Sequence, residues 1–187
     1  MKGKIFIISG PSGVGKGTVI DLAKPYLANF KQISTITTRK KRKNGRSEKD
    51  RKFVTKNEFH QLIRDKKLVE HNLYNGNYYG TPKQELEKVL IKGQNILLEI
   101  DINGAKRVNK QYPKNSILIF IWSKIQQIED RLKKRGQNSN RQIKERLKQA
   151  KKELATKNQY DFEIENKESR PKEAANKLIK FCNHLKA

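Results

Sequence analysis

The amino-acid sequence predicts an α/β protein, a three-layer fold in which helices cover both faces of a parallel central sheet. Three observations support this prediction: strand-like and helix-like segments alternate along the 187 residues, one apolar run is unbroken, and a glycine-rich loop follows the first strand. Unbroken apolar runs are typical of parallel strands that are buried on both faces. Alternating strands and helices imply right-handed crossover connections. A ligand site is then expected at the carboxyl ends of the strands.

The individual elements follow from the spacing of apolar residues. Short apolar runs predict strands at Lys4–Ile8, Gln94–Asp101 and Ser116–Trp122, and the last of these is the unbroken run. Helical spacing predicts helices at about Gly15–Ala28, Pro82–Ile91, Gly104–Gln111, Lys124–Lys157 and Pro171–Leu185. The stretch from about Ile33 to Pro82 breaks the alternation and is rich in Thr, Tyr, Phe and charge. It predicts an inserted small subdomain of short strands with one helix, Lys56–Lys66.

Composition limits the class of protein. The length suits one substantial core with small insertions. A single cysteine, Cys182, allows no internal disulfide and suits a reducing compartment, so we predict a cytoplasmic protein. Only four apolar residues lie between Lys4 and Ser9, and no apolar run approaches the ~20 residues of a membrane span. We therefore expect neither a signal peptide nor a membrane partner.

The charge is strongly positive, with 43 Lys and Arg against 19 Asp and Glu, a formal net charge of +24. Such an excess attracts polyanions, so nucleotides and nucleic acid are both admissible partners. Because the lysines are scattered along the whole chain, most of them are expected to form a solvated surface. The densest run, Arg39–Lys52, could bind nucleic acid without sequence specificity or could bind a phosphate. It has no interleaved aromatic residues, which argues against stacking of single strands.

A phosphate-binding loop is predicted where the first strand ends. Glycines allow successive backbone N–H groups to turn toward an anion, the next helix adds its N-terminus, and Lys16 reaches the outer phosphates as a point charge. Gly17 stands where the strict motif has the magnesium-binding hydroxyl, and the hydroxyl here is on Thr18. The nucleotide-binding residues predicted in this loop are Gly10, Pro11, Ser12, Gly13, Val14, Gly15, Lys16, Gly17 and Thr18.

A series of motifs resembles guanylate kinase over essentially the whole chain. The motifs are Gly10–Thr18, Ser34–Arg39, Glu58-Phe59, Glu70, Gly76–Thr81, Glu99–Ala105, Arg131, Arg135-Gly136, Arg146 and Tyr160–Asn166. The segment Gly76–Thr81 is the most specific, because a generic phosphate-loop protein has no reason to carry it. The resemblance implies an ATP- and Mg²⁺-dependent kinase that converts GMP or dGMP to the diphosphate. It also implies a core (1–32, 84–125 and 149–187), a GMP-binding subdomain (33–83) and a lid (126–148).

The resemblance assigns roles to single residues. Glu70 would accept hydrogen bonds from guanine N1–H and N2–H₂, since a carboxylate offers two acceptors in matching geometry. Asp101 would contact guanine too, and with Thr18 it would hold Mg²⁺ directly or through water. The implied GMP-binding residues are Thr35, Arg39, Arg42, Arg51, Glu70, Tyr79, Thr81 and Asp101, and Asn166 joins the ATP site. The implied catalytic residues are Lys16, Arg39, Asp101 and the lid arginines Arg131, Arg135 and Arg146.

The sequence departs from the family pattern after Arg39. The family usually continues with Pro-Arg-x-Gly-Glu and later an Asp-Tyr pair whose tyrosine touches the GMP phosphate, whereas Asp50-Arg51 stands here. Arg51 could replace the tyrosine with a charge-assisted hydrogen bond. Alternatively, the subdomain serves another nucleoside monophosphate, or the chain is a non-catalytic guanylate-kinase-like binding module. Retention of Lys16 and the loop glycines argues against such a module. Oligomeric state stays open.

Overall fold

The computed structural model describes residues 3–41, 51–74, 76–134 and 139–185. The strands in these ranges are β1 (Ile5–Ser9), β2 (Phe30–Gln32), β3 (Thr35–Thr37), β4 (Arg51–Phe53), β5 (Leu68–Tyr74), β6 (Asn77–Pro82), β7 (Asn95–Glu99), β8 (Ser116–Trp122) and β9 (Phe162–Glu165). The helices are α1 (Lys16–Ala23), α2 (Lys56–Arg64), α3 (Lys83–Ile91), α4 (Ile102–Gln111), α5 (Ile125–Lys134), α6 (Asn140–Leu154) and α7 (Pro171–His184). No helix in the described part of the chain is long and apolar enough to cross a membrane.

The predicted α/β class with a parallel central sheet is confirmed. Five strands lie in the order β2-β7-β1-β8-β9, with β2 parallel to β7 and β8 parallel to β9. All five residues of β1 are buried, as its unbroken apolar sequence requires. The sequence predicted β1, β7 and β8 but not the edge strands β2 and β9. Edge strands are shorter and half-exposed here, so they lack the apolar run that marks a central strand.

A second sheet of four strands forms in the order β4-β3-β6-β5. Strand β3 is parallel to β4 and antiparallel to β6, and β5 is antiparallel to β6. The segment that breaks the α/β alternation therefore contains short strands and the helix α2, as predicted. Helix α2 begins at a capping box in which Thr55 and Glu58 each accept a hydrogen bond from the other's backbone N–H.

The chain divides into two compact units. The first comprises Met1–Phe6, Asn29–Leu98 and Asn103–Ser116, and it contains the four-stranded sheet. The second comprises Ile7–Ala28, Glu99–Ile102 and Ile117–Ala187, and it contains α1, α5, α6 and α7. The glycine-rich loop lies in the second unit, whereas Glu70 and most of the predicted GMP residues lie in the first.

Two helix predictions were wrong in extent. The predicted helix Lys124–Lys157 is two helices, because Ser139 and Gln142 form a capping box that starts α6 anew. Helix α1 ends at Ala23, five residues before the predicted end, and a 3-10 turn with Pro25 follows it. Proline has no N–H and its ring clashes with the preceding turn, so it ends the α-helix.

Candidate active site

The glycine-rich loop joins β1 to α1. Gly10, Gly13 and Gly15 have φ angles of 137°, 92° and 85°, in a region that L side chains rarely adopt. At Gly10 a Cβ atom would also lie 2.0 Å from the carbonyl oxygen of Ile121, a backbone atom that cannot rotate away. Helix α1 begins at Lys16, directly after the third glycine. The turn thus has the backbone form that suits anion binding at a helix N-terminus.

The side chain of Lys16 lies over this loop. Its Nζ donates hydrogen bonds to the carbonyl oxygen of Gly10 at 2.6 Å and to that of Pro11 at 3.1 Å. A lysine ammonium is a compact point charge with three rotatable donors, so it can turn from carbonyl oxygens to phosphate oxygens. Lys16 therefore stabilises the loop and also supplies its positive charge.

Polar side chains far along the chain from the glycine-rich loop hold the loop in place. Arg131 donates from Nη1 to the carbonyl oxygen of Val14 and to Ser123 Oγ, both at 2.9 Å, and from Nη2 to the carbonyl oxygen of Asn166 at 2.9 Å. Asn166, only 3% exposed, donates from Nδ2 to the same Val14 oxygen at 2.7 Å. Ser123 Oγ donates to the Asn166 carbonyl oxygen at 2.5 Å. The conformation of the loop thus depends on two distant side chains.

The side-chain oxygen of Asn166 has hydrogen-bonding capacity that the described residues do not use. Its Oδ1 atom is buried and has no hydrogen-bond partner among the described residues. A buried acceptor without a donor costs roughly 1–3 kcal/mol, so a ligand donor at this point would be favourable. The amino group of adenine is such a donor. The predicted ATP contact of Asn166 is therefore chemically consistent with its surroundings.

Ionisable groups cluster beside Lys16. Burial raises the pKa of the Glu153 carboxyl, and the negative charge of Asp101 adds to this, while the hydrogen bond from Gln149 and the charge of Lys16 act in the opposite direction. Burial also raises the pKa of Tyr160 to about 12, and the charges of Asp101 and Glu153 contribute to that increase. The loop is therefore bordered by negative charge as well as by its own cation.

Thr18 and Asp101 are the predicted magnesium ligands. Thr18 lies in the first turn of α1, and Asp101 follows β7 at its carboxyl end. Within the described residues, no group of three or more His, Cys, Asp or Glu side chains could hold a metal ion. Mg²⁺ commonly binds one or two protein oxygens and completes its shell with phosphates and water. A hydroxyl and one carboxylate fit a metal that arrives with ATP.

Glu70 lies on β5 and is only 4% exposed. Thr81, on the neighbouring strand β6, donates from Oγ1 to Glu70 Oε1 at 2.7 Å. The register places Glu70 directly opposite Thr81. This bond orients the carboxylate. Because each carboxylate oxygen has two lone pairs, the carboxylate can accept further hydrogen bonds. The pair forms an acceptor site of the kind that guanine N1–H and N2–H₂ require.

Two predicted GMP-binding arginines of this unit, Arg51 and Arg39, each lie near an aromatic ring. Arg51 Nη1 donates to Thr35 Oγ1 at 2.8 Å, and the Arg51 guanidinium carbon lies 5.9 Å from the centre of the Tyr79 ring. The guanidinium carbon of Arg39 lies 5.8 Å from the centre of the Phe53 ring. Cations at such distances are attracted by the ring faces. The aromatic residues thus help to fix where the two guanidinium groups lie.

Four predicted arginines remain to be placed. Arg42 and Arg135 lie outside the described residues. Arg146 is half-buried on α6, and Arg131, on α5, contacts the loop. The remaining residues fall into a phosphate-loop group (Gly10–Thr18, Asp101, Arg131, Asn166) and a sheet group (Thr35, Arg39, Arg51, Glu70, Tyr79, Thr81).

Sequence reasoning missed two residues beside the loop. Ser123 is fully buried and bonds Asn166 and Arg131, and its signal was its position just after the carboxyl end of β8. Glu153 accepts a hydrogen bond from the backbone N–H of Ser12 and feels the charge of Lys16. Its only signal was an acidic residue in a helix rich in lysine, which is too weak to single it out.

Comparisons with known proteins agree with this geometry. A family model described as guanylate kinase matches residues 2–184. The chain is 39% identical over 187 residues to the guanylate kinase of Lactobacillus delbrueckii subsp. bulgaricus, covering 100% of this chain and 87% of that protein. It is 34% identical to the guanylate kinase of Synechocystis sp., covering 97% and 94%. The crystal structure of guanylate kinase from Anaplasma phagocytophilum superposes with a TM-score of 0.76 at 29% identity, covering 98% of this chain and 86% of that one.

Proposed function

The chain belongs to the guanylate kinase family, and from this premise we propose that it transfers the γ-phosphoryl group of ATP to GMP or dGMP. The bond between the γ-phosphorus and its bridging oxygen breaks, an oxygen of the GMP phosphate forms the new bond, and ADP and GDP leave. Such transfer needs little covalent chemistry from the protein. Positioning and stabilisation of charge supply nearly all of the rate.

The phosphate-loop group binds the donor nucleotide. Backbone N–H groups of the loop and of α1 hold the phosphates, and Lys16 moves its ammonium onto the outer phosphate oxygens. Asn166 Oδ1 accepts from the adenine amino group. Thr18 and Asp101 would hold Mg²⁺, which on binding neutralises part of the phosphate charge. Arg131 keeps the loop in shape through Val14.

The sheet group binds the acceptor nucleotide, and the buried carboxylate of Glu70 is the observation that carries the assignment. A glycine loop alone is common to many ATP-dependent proteins, whereas an oriented carboxylate at 4% exposure selects a base with two adjacent donors. Guanine has them, and adenine presents an acceptor at N1 instead. Burying a carboxylate against an acceptor leaves both without a donor, which is costly.

The acceptor phosphate is assigned to Arg39 and Tyr79, with Arg42 as a further member from outside the described residues. A guanidinium fork suits this role because it engages phosphate in a bidentate manner. Residues 33–83 form the GMP-binding subdomain in this proposal, and residues 126–148 form the lid. Its arginines Arg131, Arg135 and Arg146 stabilise charge on the transferring group.

A coupled assay of ADP release with each nucleoside monophosphate tests the proposal. We expect turnover with GMP and dGMP, and kcat/KM for AMP lower by a factor on the order of 10³ or more, as for a site that hydrogen-bonds its substrate. Comparable rates with AMP would assign the chain to another monophosphate. The absence of turnover with every monophosphate would favour a binding module, an alternative that the intact loop and Lys16 do not favour.

A further inference from the structure

We propose that Arg51 is a specificity-determining residue that donates hydrogen bonds to the O6 and N7 edge of guanine, at the opposite end of a polar row from Glu70. This inference rests on the proposed function, because it concerns how the same site selects its base. It differs from the sequence-based expectation, in which Arg51 takes the place of a tyrosine at the GMP phosphate.

The polar row consists of Arg51, Thr35, Thr81 and Glu70, one residue from each strand of the four-stranded sheet. Thr35 is paired with Arg51 across β3 and β4, and Glu70 is paired with Thr81 across β5 and β6. Between them, β3 and β6 pair Ile36 with Gly80, so continuing this antiparallel register by one residue places Thr35 opposite Thr81.

Residues opposite one another in neighbouring strands point to the same face of a sheet. The two hydrogen bonds of the row agree with this, since Arg51 donates to Thr35 at 2.8 Å and Thr81 donates to Glu70 at 2.7 Å. Four strands at a spacing of ~4.8 Å place the outer Cα atoms about 14 Å apart. The long side chains at the two ends reach inward toward the hydroxyl groups in the middle.

The order of chemical groups along the row matches guanine. The Glu70 end accepts hydrogen bonds and the Arg51 end donates them. Guanine has donors at N1 and N2, then an acceptor at O6 and another at N7, which an arginine fork can engage in a bidentate manner. Adenine lacks the N2 donor, and it has an acceptor at N1 and a donor at N6 where guanine has a donor at N1 and an acceptor at O6. The row therefore selects guanine at both of its ends.

The cation assigned to the phosphate lies further along the sheet. Two residues beyond the polar row, β3 and β6 pair Thr37 with Tyr79, and Thr37 is also paired with Phe53. Arg39 follows in the same direction, with its guanidinium near the Phe53 ring at 5.8 Å. Arg51 donates a hydrogen bond to Thr35 of the polar row, and its guanidinium carbon also lies 5.9 Å from the centre of the Tyr79 ring. The hydrogen bond to Thr35 holds the guanidinium at the polar row, and this bond is the ground for assigning Arg51 to the base.

The experiment measures equilibrium binding of guanosine, which has no phosphate, and of 7-deazaguanosine, which also lacks N7. The variants are Arg51→Ala, Arg51→Lys and, as a matched control, Lys52→Ala, since Lys52 is exposed on the same strand and pairs with Glu85. We expect Arg51→Ala to weaken guanosine binding about tenfold and 7-deazaguanosine binding less than threefold. Arg51→Lys should lie between, because it keeps the charge but not the fork.

Two outcomes overturn the inference. In one, Arg51→Ala weakens the binding of GMP but changes the binding of guanosine no more than Lys52→Ala does. This result would assign Arg51 to the phosphate. In the other, guanosine and 7-deazaguanosine lose equal affinity, which makes the effect indirect. If Arg51→Ala does not fold, the same comparison in Arg51→Lys decides. The proposed function fails separately, if the wild-type chain releases no ADP with GMP and ATP.

Discussion

The phosphate loop and the polar row recognise their ligands, a phosphate chain and a base, in different ways. The loop, Gly10–Lys16, is contiguous, and it offers mainly backbone N–H groups whose arrangement depends on three glycines with positive φ. The polar row takes one side chain from each of four strands, and only the sheet register brings them together. Backbone groups suit any phosphate, whereas side chains select one base. A departure from the family pattern, such as Arg51 in place of the usual tyrosine, can therefore alter the polar row while the loop stays intact.

Removal of the loop's cation should have the largest effect. Lys16→Ala is expected to lower kcat by a factor of about 10² or more, because the ammonium stabilises charge on the transferring phosphoryl group. Steady-state ADP release measures this effect. Lys88→Ala, at an exposed position on α3, is the control and should keep normal kcat. Near-normal turnover of a folded Lys16→Ala variant would mean that the loop is not part of the catalytic site.

Substitution of Glu70, at the acceptor end of the polar row, should weaken the binding of GMP and not that of ATP. Glu70→Ala is expected to raise KM for GMP roughly 100-fold and to change KM for ATP less than twofold. Glu70→Gln, which keeps one acceptor oxygen, should fall between wild type and alanine. Titration of each nucleotide at saturating levels of the other measures this difference. Equal losses for ATP and GMP would contradict the separation of loop and row.

Asn166 tests how far the loop depends on side chains. Asn166→Ala removes both the buried acceptor and the bond to Val14, so we expect KM for ATP to rise about tenfold while KM for GMP stays within about twofold. Thermal unfolding with and without ATP separates binding from stability. Gln159→Ala, at an exposed amide, is the control. An unchanged KM for ATP would show that the backbone alone fixes the loop.

The smallest expected effect is the pH dependence of stability at Glu153. Burial raises the pKa of this carboxyl above its ordinary value of 4.5. The carboxyl therefore takes up a proton at a higher pH in the folded protein than in the unfolded chain. The cost of the buried carboxylate is present above the folded-state pKa and is lost as the pH falls through it. Glu153→Gln should therefore stabilise the protein by a few degrees in Tm at about pH 8 and by less at about pH 4.

Exposed Glu145, on the same helix, is the control for that comparison, and Glu145→Gln should show little change in Tm at either pH. The quantity to compare is the difference in Tm between variant and wild type, since other carboxyl groups titrate in both. A destabilising Glu153→Gln at about pH 8 would mean that the attraction between Glu153 and Lys16 outweighs the cost of burial.

Much of the fold and of the loop could be predicted because the signals are local. The unbroken run Ser116–Trp122 is β8 without change of bounds, and the positive φ angles occur at the glycines that predicted them. The split between α5 and α6 was also readable, since Ser139 and Gln142 form a standard capping box. It was missed because helical spacing continues on both sides of the break.

The contacts of the row could not be predicted because they depend on register. Whether Arg51 reaches Thr35 or a phosphate is decided by which residues of β3 and β4 are opposite one another, and a shift of one residue would turn every side chain to the other face. The network around Ser123 and Asn166 has the same origin. Residue types were visible in the sequence, but their neighbours across strands and helices were not.

The hydrogen bonds from Arg131 and Asn166 to the Val14 carbonyl oxygen can form only late in the synthesis of the chain. These partners lie 117 and 152 positions further along the chain. At about 5–20 residues per second, a ribosome that has made Val14 needs on the order of 10–30 s to reach Asn166. We therefore expect the glycine loop of a nascent chain to bind ATP more weakly than the loop of the finished chain during most of translation. Nucleotide binding would then stabilise mainly those chains whose synthesis has passed Asn166.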